Sequence, residues 1–236
     1  MNNKRVLFIL FNIFFGVIYL SACKTGDDEQ YFSIKGVTVL YNVPSYVHGG
    51  GYFNFQTNDA NNNNDTFLGT AVYYKIYKSY STMLKHNSSI SAINTESQGS
   101  AAYKKMAQEY LYQEIGTDAG IKSPLIPANK GIDRKVIIYL NDYENPDRKF
   151  EICWKDITDK AYTRKYTPMR FGNVLSFNLS CSASPTDEDI DTDVTLVEDD
   201  PEAGTDNWYV DMYAVSVGMD SRYSLVAHLG SVNIKN

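Results

Sequence analysis

The chain is poor in the residues on which common catalytic and metal sites depend. It has three histidines and three cysteines in 236 residues, and the histidines, His48, His86 and His228, are far apart in sequence. Neither an HExxH nor a G-x-S-x-G sequence occurs, and no glycine-rich phosphate loop precedes an expected helix. These absences argue against the familiar zinc-peptidase, serine-hydrolase and nucleotide-binding motifs. We therefore predict no cofactor and no catalytic residues.

Basic side chains and long apolar runs are also scarce. The chain has 22 Lys and Arg against 28 Asp and Glu, a formal net charge of −6. Proteins that bind nucleic acid gain affinity from basic side chains along the phosphates, so we expect no nucleic-acid partner. Beyond residue 22, no apolar run reaches the length of about 20 residues that a membrane-spanning helix needs.

The N-terminus has the three parts of an export signal. Lys4 and Arg5 precede an apolar stretch of fifteen residues, and the small residues Ser21 and Ala22 follow it. This apolar stretch is too short for a typical spanning helix. We predict that residues 1–22 are a signal peptide that is removed.

The residues around the expected cleavage point, Leu20, Ser21, Ala22 and Cys23, resemble the bacterial lipobox at all four positions. The resemblance covers the first tenth of the chain and implies a lipoprotein precursor whose Cys23 thiol receives a diacylglycerol. Residues 23–31 would then be a lipidated tether, and the membrane would be a partner through the lipid anchor. The expected location is the cell envelope, on the outer membrane or the periplasmic face of the inner membrane. The alternative is an ordinary signal peptide with an incidental cysteine.

Eight short segments rich in aromatic and β-branched residues indicate a mainly β chain. They span residues 34–41, 51–57, 70–80, 134–142, 149–156, 170–181, 207–218 and 223–234. Alternation is clearest in two of them, which should supply the core. These alternating residues are Val72, Tyr74 and Ile76, and then Trp208, Val210, Met212 and Ala214. The pattern predicts one antiparallel β-sandwich over residues 32–236.

Residues 80–130, between the early strands, break this rhythm and are predicted to form a helical insertion. The best helix candidate runs from Ser100 to about Ile115, with Gly116 placed to end it. Its tail, EYLYQEI, is equally compatible with a strand. Residues 58–65, NDANNNND, are expected to be a polar and mobile loop.

The segment AGTDNWYVDMYAVSVGMDSRYSLVAHLGSV, residues 203–232, resembles the last hairpin of fibronectin type III domains. TAVYYKIY, residues 70–77, resembles the strand before the sheet crossover in such domains. The resemblance implies a fibronectin-like or immunoglobulin-like sandwich. Two departures are Trp208, at the place of the family's corner tyrosine, and the helical insertion. With its lipobox, the chain also resembles uncharacterised spirochaete lipoproteins, a resemblance that implies no activity.

Residues 184–207 contain ten acidic side chains and no basic one. Five of these acids stand at positions 1, 3, 5, 7 and 12 of a calcium-binding loop. They are Asp187, Asp189, Asp191, Asp193 and Glu198. Position 6, which normally requires glycine, is Thr192. We therefore favour a solvated acidic loop and keep a weak metal site as the alternative.

Cys153 and Cys181 remain after Cys23 is assigned to lipid. An exported protein with an even pair of cysteines can hold a disulfide. Alternation places Cys153 on the strand face opposite Ile152 and Trp154, whereas Cys181 continues an apolar face. A disulfide and two separate thiols therefore both stay open.

Two functions from different classes fit these features. The first is a non-enzymatic envelope module that binds a protein or a glycan through loops or an exposed sheet edge. The second is an envelope enzyme, or an accessory subunit of one, with its site in the helical insertion. The missing acid–base and nucleophile patterns favour the first, and we expect no enzymatic activity.

Overall fold

The computed structural model describes residues 34–40, 51–98, 100–141, 150–173, 177, 193–195 and 207–235. In chain order the strands are β1 (Thr38–Val39), β2 (Gly51–Gln56), β3 (Phe67–Tyr77), β4 (Gln113–Glu114), β5 (Gly116–Thr117), β6 (Gly120–Ile121), β7 (Ile126–Pro127), β8 (Arg134–Asn141), β9 (Glu151–Asp156), β10 (Thr163–Tyr166), β11 (Pro168–Met169), β12 (Val194–Thr195), β13 (Asn207–Gly218), β14 (Arg222–Tyr223) and β15 (Ala227–Lys235). The helices are α1 (Tyr80–Ala92) and α2 (Ala101–Lys104), which continues as a π-helical turn over Lys105–Glu109. Single 3-10 turns occupy Glu96–Gln98 and Met219–Ser221.

The long strands form two antiparallel sheets. The first sheet has the order β1-β2-β8-β9-β10. In the second sheet, β3 pairs with β13 along almost its whole length, and β14 and β15 pair with the other edge of β13. The short strands β4, β7 and β12 line the free edge of β3, with β12 parallel to it. A small third sheet has the order β11-β5-β6.

A first hydrophobic core lies between the inner faces of the two large sheets. Phe53 and Phe55 of β2 and Ile138 of β8 enter it from the first sheet. The second sheet supplies the alternating residues that the sequence analysis assigned to the core, Val72, Tyr74 and Ile76 of β3 and Trp208, Val210, Met212 and Ala214 of β13. The predicted core faces are therefore confirmed.

A second hydrophobic core lies on the opposite face of the second sheet. Tyr77 of β3 and Val215 of β13 are buried there against Met83 and Ile90 of α1 and Met106 of the π-helical turn. Both faces of β3 and β13 are thus buried, one by the first sheet and the other by helices. Strand alternation had suggested a single buried face.

Helix α1 begins at a side-chain cap that was not recognised in the sequence. The hydroxyl of Ser79 accepts a hydrogen bond from the backbone N–H of Thr82 at 3.2 Å, which satisfies one of the free donors of the first turn.

The predicted helix from Ser100 to Ile115 is only partly right. Helical structure ends at Glu109, because Leu111 has a positive φ of 57°, and Gln113–Glu114 form β4. The strand alternative for the tail is correct there.

The prediction of a mainly β chain with antiparallel sheets is confirmed. The predicted strand over residues 170–181 is wrong at its start, because Phe171 and Gly172 adopt positive φ values of 45° and 78° and form a turn. The loop predicted to be mobile is instead tied to the fold. Asn62 is buried, and its side-chain amide makes two hydrogen bonds of 2.8 Å to the backbone of Lys35.

Candidate functional site

A connected polar network lies between α1 and the second sheet, beside the second core. We call it the Asp211 network. Its members are Tyr77, His86, Asn87, Tyr112, Asp211, Tyr213 and His228. Two come from α1, and the others come from β3, β13, β15 and the chain before β4. Residues far apart in sequence therefore meet because β3, β13 and β15 are neighbours.

The carboxylate of Asp211 is the centre of the network and is completely buried. One oxygen accepts hydrogen bonds from His228 Nε2 at 2.8 Å and from Asn87 Nδ2 at 3.2 Å. The other oxygen accepts from the Tyr112 hydroxyl at 2.7 Å. Three donors from three separate parts of the chain compensate for the loss of water around a buried anion.

A chain of hydroxyl groups continues from Asp211 toward α1. Tyr77 donates to the Tyr112 hydroxyl at 3.1 Å, and Tyr77 also lies 2.9 Å from His86 Nδ1. Because the Tyr77 proton points to Tyr112, His86 carries its proton on Nδ1 and donates to Tyr77. The His86 ring stacks on Tyr110 with the centroids 3.8 Å apart. The hydrogen bonds thus run in one direction, from His86 to the buried carboxylate.

The two histidines of the network have opposite electrostatic environments. At His228, burial works against the charged form, but the charge and hydrogen bond of Asp211 outweigh it and raise the pKa. At His86, burial lowers the pKa, and the positive charge of Lys75 adds to the effect. Lys75 lies directly opposite Asp211 across β3 and β13 and is buried, which lowers its own pKa. His228 therefore holds a proton more readily than His86.

The Asp211 network links α1, β13, β15 and the chain before β4 around one buried carboxylate. Both carboxylate oxygens of Asp211 accept hydrogen bonds within the network. Among the described residues, His228, whose side chain is 41% exposed, donates its Nε2 proton to Asp211, and Asn87 Nδ2 lies 3.3 Å from the same ring nitrogen without a hydrogen bond to it. No serine or cysteine in the described part of the chain is hydrogen-bonded to His228. Within the described ranges, the Asp211–His228 pair therefore has no hydrogen-bonded nucleophile of the kind found in a catalytic triad.

The structure places one of the five predicted calcium ligands. Asp193 is completely buried and forms two hydrogen bonds of 2.6 Å to the guanidinium of Arg170. The Tyr74 hydroxyl also donates to it at 2.8 Å. Its carboxylate therefore has no free oxygen for a cation in this structure. Asp187, Asp189, Asp191 and Glu198 lie outside the described residues, and no group of three metal-binding side chains occurs within the described ranges.

Cys153 is a free, buried thiol on the outer side of β9, as the alternation predicted. Burial raises its pKa to about 11, and the nearby Glu151 carboxylate, 3.8 Å from the sulfur, contributes to the increase. The raised pKa keeps this thiol protonated at neutral pH, and the protonated form is the less reactive one. Cys181 and Cys23 lie outside the described residues.

A cavity of about 180 Å³ opens beside the asparagine-rich loop. Asp59, Asp65, Lys130 and the asparagines at 62–64 contribute to its wall. Burial raises the pKa of Asp59, although the carboxylate accepts a hydrogen bond from the backbone of Asn129. The cavity is smaller than the roughly 300–1,000 Å³ of pockets for drug-sized ligands, so it suits a single small polar group.

The first sheet has a second, outward-facing side, which we call the outer face. It comprises the residues that alternate with the core positions: Tyr52, Asn54, Gln56, Lys135, Ile137, Tyr139, Glu151, Cys153, Lys155 and Arg164. Tyr162, which directly precedes β10, lies beside it, with Lys155 Nζ 5.1 Å from the centroid of its ring. The two described helices belong to the second core.

Comparisons with known proteins add no relative, since no family model, curated protein or solved structure matches the chain. Within the described ranges, no helix has the length and apolar character needed to cross a bilayer.

Sequence reasoning missed the Asp211 network because its members look unrelated along the chain. The available signal was a charged residue within each of two apolar strands, Lys75 in TAVYYKIY and Asp211 in NWYVDMYAV. Alternation assigns both to an outer, solvated face. The structure covers that face with α1, so the two charges become buried opposite one another.

Proposed function

We propose that the chain is a lipid-anchored module of the bacterial cell envelope that binds a glycan or protein partner and catalyses no reaction. Cys23 is the lipid attachment point, and residues 23–31 are the tether that carries the folded domain. The export signal and lipobox over residues 4–23 support the anchor. The observation that carries the binding role is the outer face, on which tyrosines and cationic side chains stand together outside both hydrophobic cores.

A fibronectin-like arrangement of the sheets is part of this proposal. Its support is the antiparallel pairing of β13 with β15 from Asn207 to Ala214, within the segment that resembles the last fibronectin hairpin.

The anchor is tested by changing Cys23 to alanine in a bacterial host with lipoprotein-processing enzymes. We expect Cys23→Ala to accumulate as an unprocessed precursor that carries no lipid label and partitions poorly into detergent, because the thiol is the acceptor of the diacylglycerol. Metabolic labelling with a fatty acid and electrophoretic size would measure this. Cys153→Ala is the matched control, since it removes a buried thiol and should retain normal labelling. Normal-sized, labelled Cys23→Ala protein would refute the anchor.

The second candidate is an envelope enzyme or accessory subunit with its site in the insertion. The Asp211 network is the observation that favours it, because His86 and Asn87 belong to α1 within the insertion. This is the weaker proposal, because both oxygens of Asp211 already accept hydrogen bonds and no serine or cysteine among the described residues is hydrogen-bonded to His228.

A further inference from the structure

The outer face of the first sheet has like charges placed opposite one another. Lys135 of β8 is the register partner of Lys155 of β9. Like charges directly opposite each other on neighbouring strands destabilise a sheet. Arg164 of β10 adds a third positive charge, and Glu151 is the one acidic side chain among the described residues of this face. An anion bound here would relieve the repulsion between the two lysines.

The charged groups of this face are only partly neutralised by the described residues. Lys155 Nζ donates to the backbone carbonyl of Asp159 at 2.9 Å, in the turn after β9. This carbonyl is a neutral acceptor, so it does not cancel the charge of Lys155. Arg164 Nε lies 3.6 Å from Glu151 in a partly exposed ion pair. Lys135 makes no ion pair or hydrogen bond with another described residue. The described residues of the face therefore carry a positive excess on a chain whose net charge is −6.

Aromatic rings lie among these charges. Tyr52 and Tyr139 are cross-strand partners whose ring centroids are 5.7 Å apart. Tyr162 is 37% exposed and lies under the Lys155 ammonium group. Tyrosine rings offer flat apolar area and a hydroxyl group while losing little conformational entropy on binding. Such rings match the apolar faces of sugars.

We propose that the outer face binds an anionic polysaccharide, with sugar rings against Tyr52, Tyr139 and Tyr162 and acidic groups at Lys135 and Lys155. The ligand class follows from charge complementarity. A polyanion is attracted to the positive outer face and repelled by the rest of the protein, which is acidic. This inference rests on the proposed binding function and names its ligand class and surface.

An anionic membrane surface is the competing occupant, since lysines also attract acidic lipid headgroups. Segments that bind such lipids typically cluster 4–8 basic residues. The outer face has three basic residues, set among tyrosines that lie along the strands. This composition favours a chain of acidic sugars over a bilayer.

The experiment uses the full chain, produced in a bacterial host and solubilised in a neutral detergent. Polygalacturonate, a carboxylate-bearing polysaccharide, is the probe, and neutral dextran is the uncharged comparison. We expect retardation of the protein in gels that contain polygalacturonate, none with dextran, and progressive loss of binding as salt screens the charges. The Lys135→Gln/Lys155→Gln variant should bind roughly fivefold to tenfold more weakly, as expected for two partly exposed charge contacts.

The matched control is the double variant Lys85→Gln/Lys104→Gln. It removes two exposed lysines from the helical side of the molecule, so its net charge changes by the same amount as in the test variant. Equal weakening in both double variants, or equal binding of dextran, would overturn the proposal. Binding to phosphatidylglycerol vesicles without binding to polygalacturonate would overturn it in favour of a membrane-facing surface. The lipid-labelling result for Cys23 is independent of these outcomes, so failure of the anchor and failure of the ligand assignment are distinguishable.

Discussion

Asp211 shows how a single buried charge can be stabilised by neutral groups and one titratable partner. Its carboxylate is held by Tyr112, Asn87 and His228, and only His228 can bring a positive charge. The imidazole is partly exposed, whereas the carboxylate has no contact with water. The strength of this contact should therefore depend on pH through His228.

The pKa of His228 is raised above its ordinary value of 6.5, which sets the sign of the pH dependence. A group whose pKa rises on folding contributes stability that is complete below the unfolded pKa and is lost as the pH rises through the folded value. We expect His228→Gln to reduce the free energy of unfolding most at about pH 5.5 and least at about pH 9. Because the side chain is 41% exposed, the pH-dependent part should be at most about 1 kcal/mol. Urea denaturation at several pH values would measure it.

His86 provides a control whose pH dependence should have the opposite sign. Burial and the charge of Lys75 lower its pKa, so its protonation opposes folding as the pH falls. The variant His86→Gln should therefore lose less stability at low pH than at neutral pH. A pH profile of the same sign for both variants would contradict the assigned environments.

At the scale of elements, α1 is fixed to the second sheet by polar contacts as much as by apolar ones. Of its thirteen residues, Met83 and Ile90 are the buried apolar side chains. Asn87 forms hydrogen bonds with the side chains of Asp211, Tyr112 and Tyr213 in β13 and the segment before β4. This mixture explains why the helix was missed. A periodicity of apolar residues is weak when an amide and an imidazole make the contacts.

Asn87 should accordingly be the most sensitive polar position of α1. We expect Asn87→Ala to lower the free energy of unfolding by about 1–3 kcal/mol, because it leaves the Tyr213 hydroxyl without an acceptor and removes one donor from the buried carboxylate. Chemical denaturation would measure the loss. Ser88→Ala, at the next and exposed position of the same helix, should change stability by less than about 0.5 kcal/mol. Similar losses in both variants would indicate an effect on helix propensity.

At the scale of the whole molecule, the second sheet belongs to both hydrophobic cores. Val72, Tyr74 and Ile76 point from β3 into the first core, whereas Tyr73 and Tyr77 point from the same strand into the second. Loss of the helical layer would expose one side of β3 and β13 to water. The two cores are therefore expected to depend on one another.

This shared sheet predicts a single cooperative unfolding transition. The two tryptophans report the first core, since Trp208 is buried in it and Trp154 packs against it. The helical signal in far-ultraviolet circular dichroism reports the layer that contains α1. We expect coincident urea midpoints for the two signals, as two-state unfolding requires. Loss of the helical signal at a lower urea concentration than the tryptophan signal would show that the helical layer unfolds separately.

The alternating strands were predictable because each local pattern agrees with its final environment. Val210 and Met212 alternate with polar or aromatic neighbours, and a period of two identifies an inner face without knowledge of the partner strand. The turn at Phe171 and Gly172 was not predictable in the same way. The local composition of residues 170–181 resembles a strand, and the positive φ values that reverse the chain are not visible in the pattern of apolar residues.

The amino-acid sequence by itself determined the β class, the antiparallel character and the apolar faces of the first core, because these depend on neighbouring residues with a period of two. Tertiary structure decided which outer face would be covered by helices. The outer positions of β3 and of β8 look alike in sequence, yet α1 buries those of β3 around Asp211, while those of β8 lie on the outer face with Lys135. The physical reason is that covering a face requires contacts between elements far apart in the chain, and local composition does not specify the partner.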